Sequence, residues 1–320
     1  MRFVFLAILA VYISLVSFSS PATAGYNADN CQGTTNRVRA DLIFDLKSGD
    51  VLFEKNANAL FHPASLTKLV SLMVIFDALR AGEIDYSDRI QLVRARGQID
   101  GRTASIKSMT VKEAIQGVAT GSLNNALDGV AIKIGMETFV RRMNHKSKSL
   151  GLTHTKFVNT TGWPTSSSKS QQRTTLHELA KLLRYLETEY EHEYSQFDGK
   201  AKVYISGLAK PLSATNNLLQ NASSRRANPY KGVVGGKTGY TCYSGWHLIT
   251  LYKDPSKPDD RLVVMSVGHA TGISRDQHVR TLLDENIDKY KRFKTKSKTE
   301  SILNKDLPNK GVEIIRSLNH

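Results

Sequence analysis

The chain has 320 residues, 40% of them hydrophobic and 23% charged, a composition that excludes a disordered or collagen-like chain and fits one or two folded domains. A formal charge of +15 and an isoelectric point near 9.7 favour an anionic partner or surface. Two cysteines, Cys31 and Cys242, are too few for a fold built on a disulfide framework, and the sequence leaves open whether they pair.

The chain starts with Met1 and Arg2, runs almost without a break through apolar residues from Phe3 to Val16, and reaches the small-residue string Ala22-Thr23-Ala24. Residues 1-24 therefore read as a secretory signal peptide, because the apolar run is shorter than the roughly 20 residues that span a bilayer. Export would remove nucleic acid from the candidate partners. No other long apolar run occurs, so the mature chain is expected to be soluble or at most attached to a surface. Residues 25-39 form a leader, and Cys31 lies too far beyond the expected cleavage point to be its lipidation site.

"RADLIFDLKSGDVLFEKN" (39-56) predicts a β-hairpin around Lys47-Ser48-Gly49-Asp50. "PASLTKLVSLMVIFDALRAGEI" follows, and its dense apolar pattern up to Leu79, closed by Gly82, predicts a buried helix. Thr110 with Glu113, and Thr175 with Glu178, predict capping boxes at two further helices. Two more segments of helical period, "NALDGVAIKIG" and "METFVRRMNHKSKSLG", lie between them. "GYTCYSGWHLITLYK" and "RLVVMSVGH" read as two strands separated by the turn-rich "DPSKPDD", and "RDQHVRTLLDENIDKYKRF" as a last helix. Strands at both ends around a helical middle predict an α/β (α+β) fold: an antiparallel sheet flanked by helices, with an inserted, mostly α-helical region. There is no internal repeat. Residues 40-290 would form one catalytic unit with its site between the two regions, and 291-320 a basic tail. The run Lys289, Lys291, Arg292, Lys294, Lys296 and Lys298 reads first as a solvated face, with an anionic membrane or wall as its alternative contact.

Three short motifs carry chemistry. In "PASLTK" (63-68), helical spacing places Ser65 beside Lys68. Burial among Leu69 and Leu72 would push the lysine toward its neutral form, able to take the serine proton. The helix N-terminus would favour negative charge developing there. Alone, the pattern reads instead as a helix start with a lysine snorkelling to water. In "ATGSLNNA", Ser122-Leu123-Asn124 would expose a hydroxyl to relay a proton and an amide to hold a substrate backbone; alone, it is a helix connector. In "GGKTGYT", Lys237-Thr238-Gly239 opens a strand and offers a cation and a hydroxyl suited to a carboxylate. His62 reads as a loop histidine without a catalytic role, since Lys68 already supplies a base. No His/Cys/Asp/Glu cluster has metal-ligand spacing and no glycine-rich phosphate loop precedes a helix, so neither metal nor nucleotide cofactor is expected.

The three motifs in this order, each in the setting it requires, resemble those of the serine-type D-alanyl-D-alanine carboxypeptidases, the low-molecular-mass penicillin-binding proteins. The resemblance runs from about Ala40 to Tyr290 and includes "GLTHTKFVNTTGW", "TNNLL" and "GHATGISR". It implies a serine β-lactamase/penicillin-binding-protein-like fold and a site in the periplasm or cell-wall space. The partners would be peptidoglycan stem peptides ending in D-Ala-D-Ala, and β-lactam antibiotics. It also implies roles: Ser65 as nucleophile, Lys68 as base and Ser122 as proton relay. The backbone N–H groups of Ser65 and Tyr240 would form the oxyanion hole, Asn124 would hold the peptide, and Lys237, Thr238 and Gly239 would bind the terminal carboxylate. Arg275 aligns with a second carboxylate-binding cation. Leu123 departs from the glycine or alanine of many relatives and is expected to reshape the pocket wall.

A β-lactamase shares this apparatus, but no Glu between Ser122 and Lys237 is followed four residues later by Asn, the pair that the most similar lactamases use to position a deacylating water. A D-alanyl endopeptidase and a non-catalytic wall-binding or β-lactam-sensing protein are the other readings. Many relatives continue into a β-rich domain and an anchoring helix. The residues after Tyr290 fall short of the roughly 50 of a small domain, so that domain is expected to be absent. "GVEIIRSLNH" is too brief to predict an anchor.

Overall fold

The computed structural model describes residues 37–93, 100–165, 171–222 and 224–306. The expected signal peptide, most of the leader, Cys31 and the last fourteen residues lie outside the described residues, while Cys242 is engaged in a disulfide.

Strands β1 (Ala40–Asp45) and β2 (Val51–Lys55) form the expected hairpin. A 3₁₀ turn over Ala64–Thr67 leads into helix α1 (Lys68–Arg80), so the single helix expected there divides just where Ser65 and Lys68 stand. Two small strands, β3 (Arg89–Gln91) and β4 (Ser108–Thr110), precede α2 (Val111–Gly121), α3 (Asn124–Ile134) and α4 (Met136–Ser149). Helices α5 (Leu176–Glu189) and α6 (Glu191–Tyr194) and the pair β5 (Lys202–Val203) and β6 (Leu212–Ser213) complete the inserted region. The chain then returns to the sheet with β7 (Val233–Thr241), β8 (Gly245–Asp254) and β9 (Lys257–His269), and ends in α7 (Gly272–Asp306).

The capping box at α2 is complete, with the Glu113 amide donating to Thr110 Oγ1 at 3.2 Å and the Thr110 amide to Glu113 Oε2 at 2.8 Å. At α5 only half of it forms. Thr175 accepts from the Glu178 amide, but the Glu178 carboxylate turns away to accept from the His154 amide at 2.9 Å and the Thr155 hydroxyl at 2.5 Å.

The five strands run in the order β2-β1-β9-β8-β7, each pair antiparallel. Period-2 alternation sorts the side chains into two cores. Leu42, Phe44, Ile249, Leu251, Val263 and Met265 face the helical region and α1, whereas Ile43, Leu248, Leu262 and Val264 face Val279, Leu282 and Leu283 of α7. The run expected as one strand from Gly239 to Lys253 is two, because the chain reverses over residues 242–244, where Ser244 closes a turn onto Thr241. The turn-rich segment after it is mostly absorbed into β9, leaving a tight reversal at Asp254–Lys257.

Helix α7 extends well past the expected end of the last helix, into the basic segment. That segment is not wholly solvated. Lys294 Nζ lies 3.2 Å from the buried Asp45 carboxylate and 3.3 Å from Asp260, and the Tyr290 hydroxyl donates to Asp45 at 2.7 Å. Burial raises the Asp45 pKa, but the Ser48 amide, Tyr290 and Lys294 outweigh it and hold the carboxyl below its ordinary value of 3.8. This stabilising contribution is therefore present above pH 3.8 and lost as the pH falls through the depressed value. Tyr290→Phe removes a hydrogen bond to a charged group and should cost about 1.5–3 kcal/mol at neutral pH. Denaturant unfolding at two pH values checks this: the difference from the parent should narrow below pH 3.8.

Candidate active site

Ser65 sits in the 3₁₀ turn, and Lys68 is the first residue of α1. At three residues per turn, side chains three apart eclipse, and Lys68 Nζ lies 2.7 Å from Ser65 Oγ. The residue before the serine, Ala64, has a φ of +49°, a left-handed conformation that costs a non-glycine residue about 1–2 kcal/mol. Packing holds it: Ala64 is fully buried and its carbonyl lies against Gly162. A Cβ at Gly162, itself at φ +84°, would stand 1.7 Å from the Ala64 oxygen. His62 supports the same turn, with Nδ1 accepting from the Ala64 amide at 3.2 Å. Burial lowers its pKa to about 4, so it is neutral at physiological pH.

Lys68 is fully buried. Besides Ser65, its Nζ meets Asn124 Oδ1 at 2.7 Å and the Thr161 carbonyl at 3.0 Å. A neutral amine has two N–H bonds and one lone pair. The two oxygens that can only accept take the N–H bonds, and the lone pair is left facing the Ser65 hydroxyl. Burial pushes the Lys68 pKa well below its ordinary value; Lys237 and Arg102 push the same way, against Asp128 and Asp100.

The serine-loop motif shrinks to two residues between helices. Ser122 caps the C-terminus of α2 at φ +59°, and Asn124 is already the first residue of α3. Leu123 between them is fully buried, its side chain against Gly117 of α2. It therefore fills the core under α2 and does not shape the pocket wall, contrary to the expectation.

Lys237 lies in the middle of β7, not at its start, because the strand begins at Val233. Its Nζ reaches Ser122 Oγ at 2.8 Å and the Thr238 carbonyl at 3.0 Å. Burial lowers its pKa to about 7, helped by Arg102 and Arg275 and opposed by Asp198. Thr238 Oγ1 lies 2.6 Å from Thr215 Oγ1, and a Cβ at Gly239 would meet the Pro63 carbonyl at 3.2 Å. The edge strand β7 is thus laid against the nucleophile turn. Ser65, Lys68, Ser122, Asn124, Lys237, Thr238 and Gly239 converge, although they come from three distant segments. Tyr240 is half exposed beside them, its ring stacked on Trp246 at 4.2 Å between centroids.

Arg275 does not join the hydrogen-bonded cluster. It is 2% exposed, donates through Nε and Nη2 to Asp276 Oδ1 at 2.8 and 2.6 Å, and stands 5.7 Å from the Trp246 ring centroid. Two participants were given no role from the sequence, although Thr161 lies within the stretch "GLTHTKFVNTTGW". Arg102 donates to the Gly121 carbonyl at 2.7 Å and is held by Asp100, and its charge reaches both lysines. Thr161 contributes only a backbone carbonyl. Among the described residues no group of three or more His, Cys, Asp or Glu is placed to hold a metal ion.

The family profile of peptidase S11, D-alanyl-D-alanine carboxypeptidase, matches residues 28–268. The chain belongs to this family. Over 309 residues it is 29% identical to D-alanyl-D-alanine carboxypeptidase DacF of Bacillus subtilis, covering 92% of this chain and 75% of that one. Over 259 residues it is 28% identical to DacC of Escherichia coli, covering 77% of this chain and 60% of that one. The chain thus spans about three-fifths of the length of this second relative. Its fold is that of the penicillin-binding proteins. It matches penicillin-binding protein D2 of Listeria monocytogenes in its ampicillin-bound form with a TM-score of 0.68 at 23% identity, over 77% of this chain and 95% of that one. Penicillin binding protein 5 of Haemophilus influenzae matches with a TM-score of 0.66 at 22% identity, over 80% of this chain and 73% of that one.

Lys68→Met should slow acylation of Ser65 about 10²- to 10⁴-fold, the usual contribution of a general base, measured as the rate of adduct formation by intact mass. Gly162→Ala should lower stability by more than about 1 kcal/mol, since alanine resists positive φ and its Cβ has no room against Ala64. Thermal unfolding checks this.

Proposed function

We propose that the protein is a serine D-alanyl-D-alanine carboxypeptidase that removes the terminal D-alanine from peptidoglycan stem peptides through an acyl-enzyme on Ser65, and that β-lactams inhibit it. The observation that carries this reading is the buried Lys68 amine, whose Nζ lies 2.7 Å from Ser65 Oγ and has Asn124 Oδ1 and the Thr161 carbonyl as its other partners.

In this mechanism the Ser65 oxygen attacks the carbonyl between the two D-alanines while its proton passes to Lys68. The carbonyl oxygen becomes an oxyanion held by the Ser65 and Tyr240 amides, donors aimed at charge that exists only in the transition state. The C–N bond then breaks, and the leaving amine takes its proton through Ser122, which Lys237 holds at 2.8 Å. Water hydrolyses the resulting ester, with Lys68 now accepting the water's proton.

Two lysines so close favour one charge rather than two. Burial and the charge of Lys237 lower the Lys68 pKa well below its ordinary value, as its role as base needs, while Asp198 opposes the lowering of Lys237, as a cation for the terminal carboxylate needs. Asn124 Oδ1 is committed to Lys68, and its amide nitrogen is the part that would donate to the substrate backbone. The export signature read in residues 1-24 supports a cell-wall location for this activity, and among the described residues no helix is long and apolar enough to cross a membrane.

The test is intact-protein mass over time with a β-lactam, beside Ser65→Ala, together with release of D-alanine from a D-Ala-D-Ala peptide. A long-lived adduct on the parent alone, with D-alanine released, is expected. Consumption of the β-lactam without a lasting adduct would indicate a β-lactamase. Cleavage confined to cross-linked peptides would indicate an endopeptidase, and neither adduct nor turnover a binding protein.

A further inference from the structure

Strand β7 carries an irregularity just before Lys237. Val233 pairs with Tyr252 and Gly235 with Leu251, so Val234 is an extra residue with no partner on β8. Such a bulge re-aims the side chains that follow it. No further strand pairs with the outer side of β7, where the Gln220 amide reaches the Val233 carbonyl at 2.9 Å and Asn216 Nδ2 the Gly235 carbonyl at 3.3 Å, and the Gly236 amide needs an acceptor of its own.

Asp198, in the turn after α6, lies on it. Its two carboxylate oxygens accept from the Gly236 amide at 3.2 and 3.3 Å. A Cβ at Gly235 would stand 2.0 Å from Asp198 Oδ2, so the carboxylate rests directly on the strand backbone where only glycine leaves room. The catalytic cycle proposed above gives Asp198 no role, and no motif marks it.

We propose that Asp198 is a positioning residue: by clamping the Gly235–Gly236 bend it sets where Lys237 presents its charge to the substrate carboxylate, and its own protonation releases the clamp. This rests on the carboxypeptidase reading for its link to substrate, though not for the clamp itself. The titratable and charged groups that act on Asp198 are Tyr194 from α6, Lys237 from β7 and, through its own coupling to Asp198, Glu187 from α5, on which Arg261 from β9 and Glu191 from α6 act in turn.

Burial raises the Asp198 pKa to about 6, against the Gly236 and Gly199 amides, the Tyr194 hydroxyl and Lys237. Burial and the Asp198 charge raise Glu187 to about 8, against Arg261, whose Nη1 donates to Glu187 Oε2 at 2.9 Å. Glu187 Oε1 is buried and has no hydrogen-bond partner, as suits a neutral acid better than an anion. Between pH 6 and 8 the pair therefore holds one proton, on Glu187, and the anion stays on Asp198. Below about 6 Asp198 takes up a proton, accepts less strongly from Gly236, and ceases to offset the positive charge of Lys237.

The experiment is steady-state hydrolysis of a D-Ala-D-Ala peptide from pH 5 to 9 by the parent, Asp198→Asn and Glu187→Gln. In the parent KM should rise as the pH falls through about 6. Asp198→Asn should raise KM at pH 7 about tenfold, as loss of a hydrogen bond to a charged group implies, with kcat changed far less, and should abolish the acid limb. Glu187→Gln should keep the acid limb, because Glu187 is already neutral there. Its stability relative to the parent should rise between about pH 4.5 and 8 and level off above, since a carboxyl pKa raised from 4.5 to about 8 means stability lost as the pH climbs between those values. A parental KM and acid limb in Asp198→Asn would overturn the proposal. A parent that neither acylates nor turns over would overturn the carboxypeptidase reading instead. The clamp is then judged by hydrogen exchange at the Gly236 amide, which Asp198→Asn should accelerate at least tenfold and which, if unchanged, overturns the clamp as well. Where Asp198→Asn fails to fold, loss of the acid limb in Glu187→Gln would count against the pair.

Discussion

The site depends on one buried amine. A lysine with no exposure to water is tolerated when it is neutral, because desolvation acts against the charged form alone. A neutral amine still needs its N–H bonds satisfied, and Asn124 and Thr161 do this. Those contacts oblige α3 and the loop around Gly162 to close on the start of α1. The left-handed Ala64 and the glycine pressed against its carbonyl follow from that closure, and together they hold Ser65 against the lone pair.

The second constraint is the placement of one positive charge. Lys237 comes from the edge strand β7 and is buried too, and its pKa falls to about 7. Asp198 opposes its loss of charge, whereas Arg102 presses on both lysines. The sheet that carries β7 is itself fixed from the opposite face by α7, through Leu282 and Leu283 in its core and Tyr290 and Lys294 on Asp45. Chemistry on one face and anchoring on the other are thus linked through the β1-β9-β8-β7 order.

Much of this was legible in the residues. The first hairpin, α1, the box at Thr110 and Glu113 and the antiparallel sheet followed from patterns that act over a few residues. The failures had tertiary causes. Glu178 left its capping box because His154 and Thr155 offered it donors from another segment. The last helix outran its expected end because Asp45 and Asp260 receive Lys294. Leu123 turned inward because Gly117 leaves it a space in α2.

Of the site, the sequence by itself determined the list of reactive groups and their order, Ser65 with Lys68, Ser122 with Asn124, and Lys237 with Thr238, together with the family they resemble. Tertiary structure alone decided their ionisation and their partners. Lys68 meets a carbonyl 93 positions away and Lys237 a hydroxyl 115 positions away. Arg102, the Thr161 carbonyl and Asp198, to which no motif assigned a role, act through charge, a backbone oxygen and a contact on glycine. A pKa is set by the dielectric and charges around a group, and these come from whatever the fold brings near, which no local pattern records.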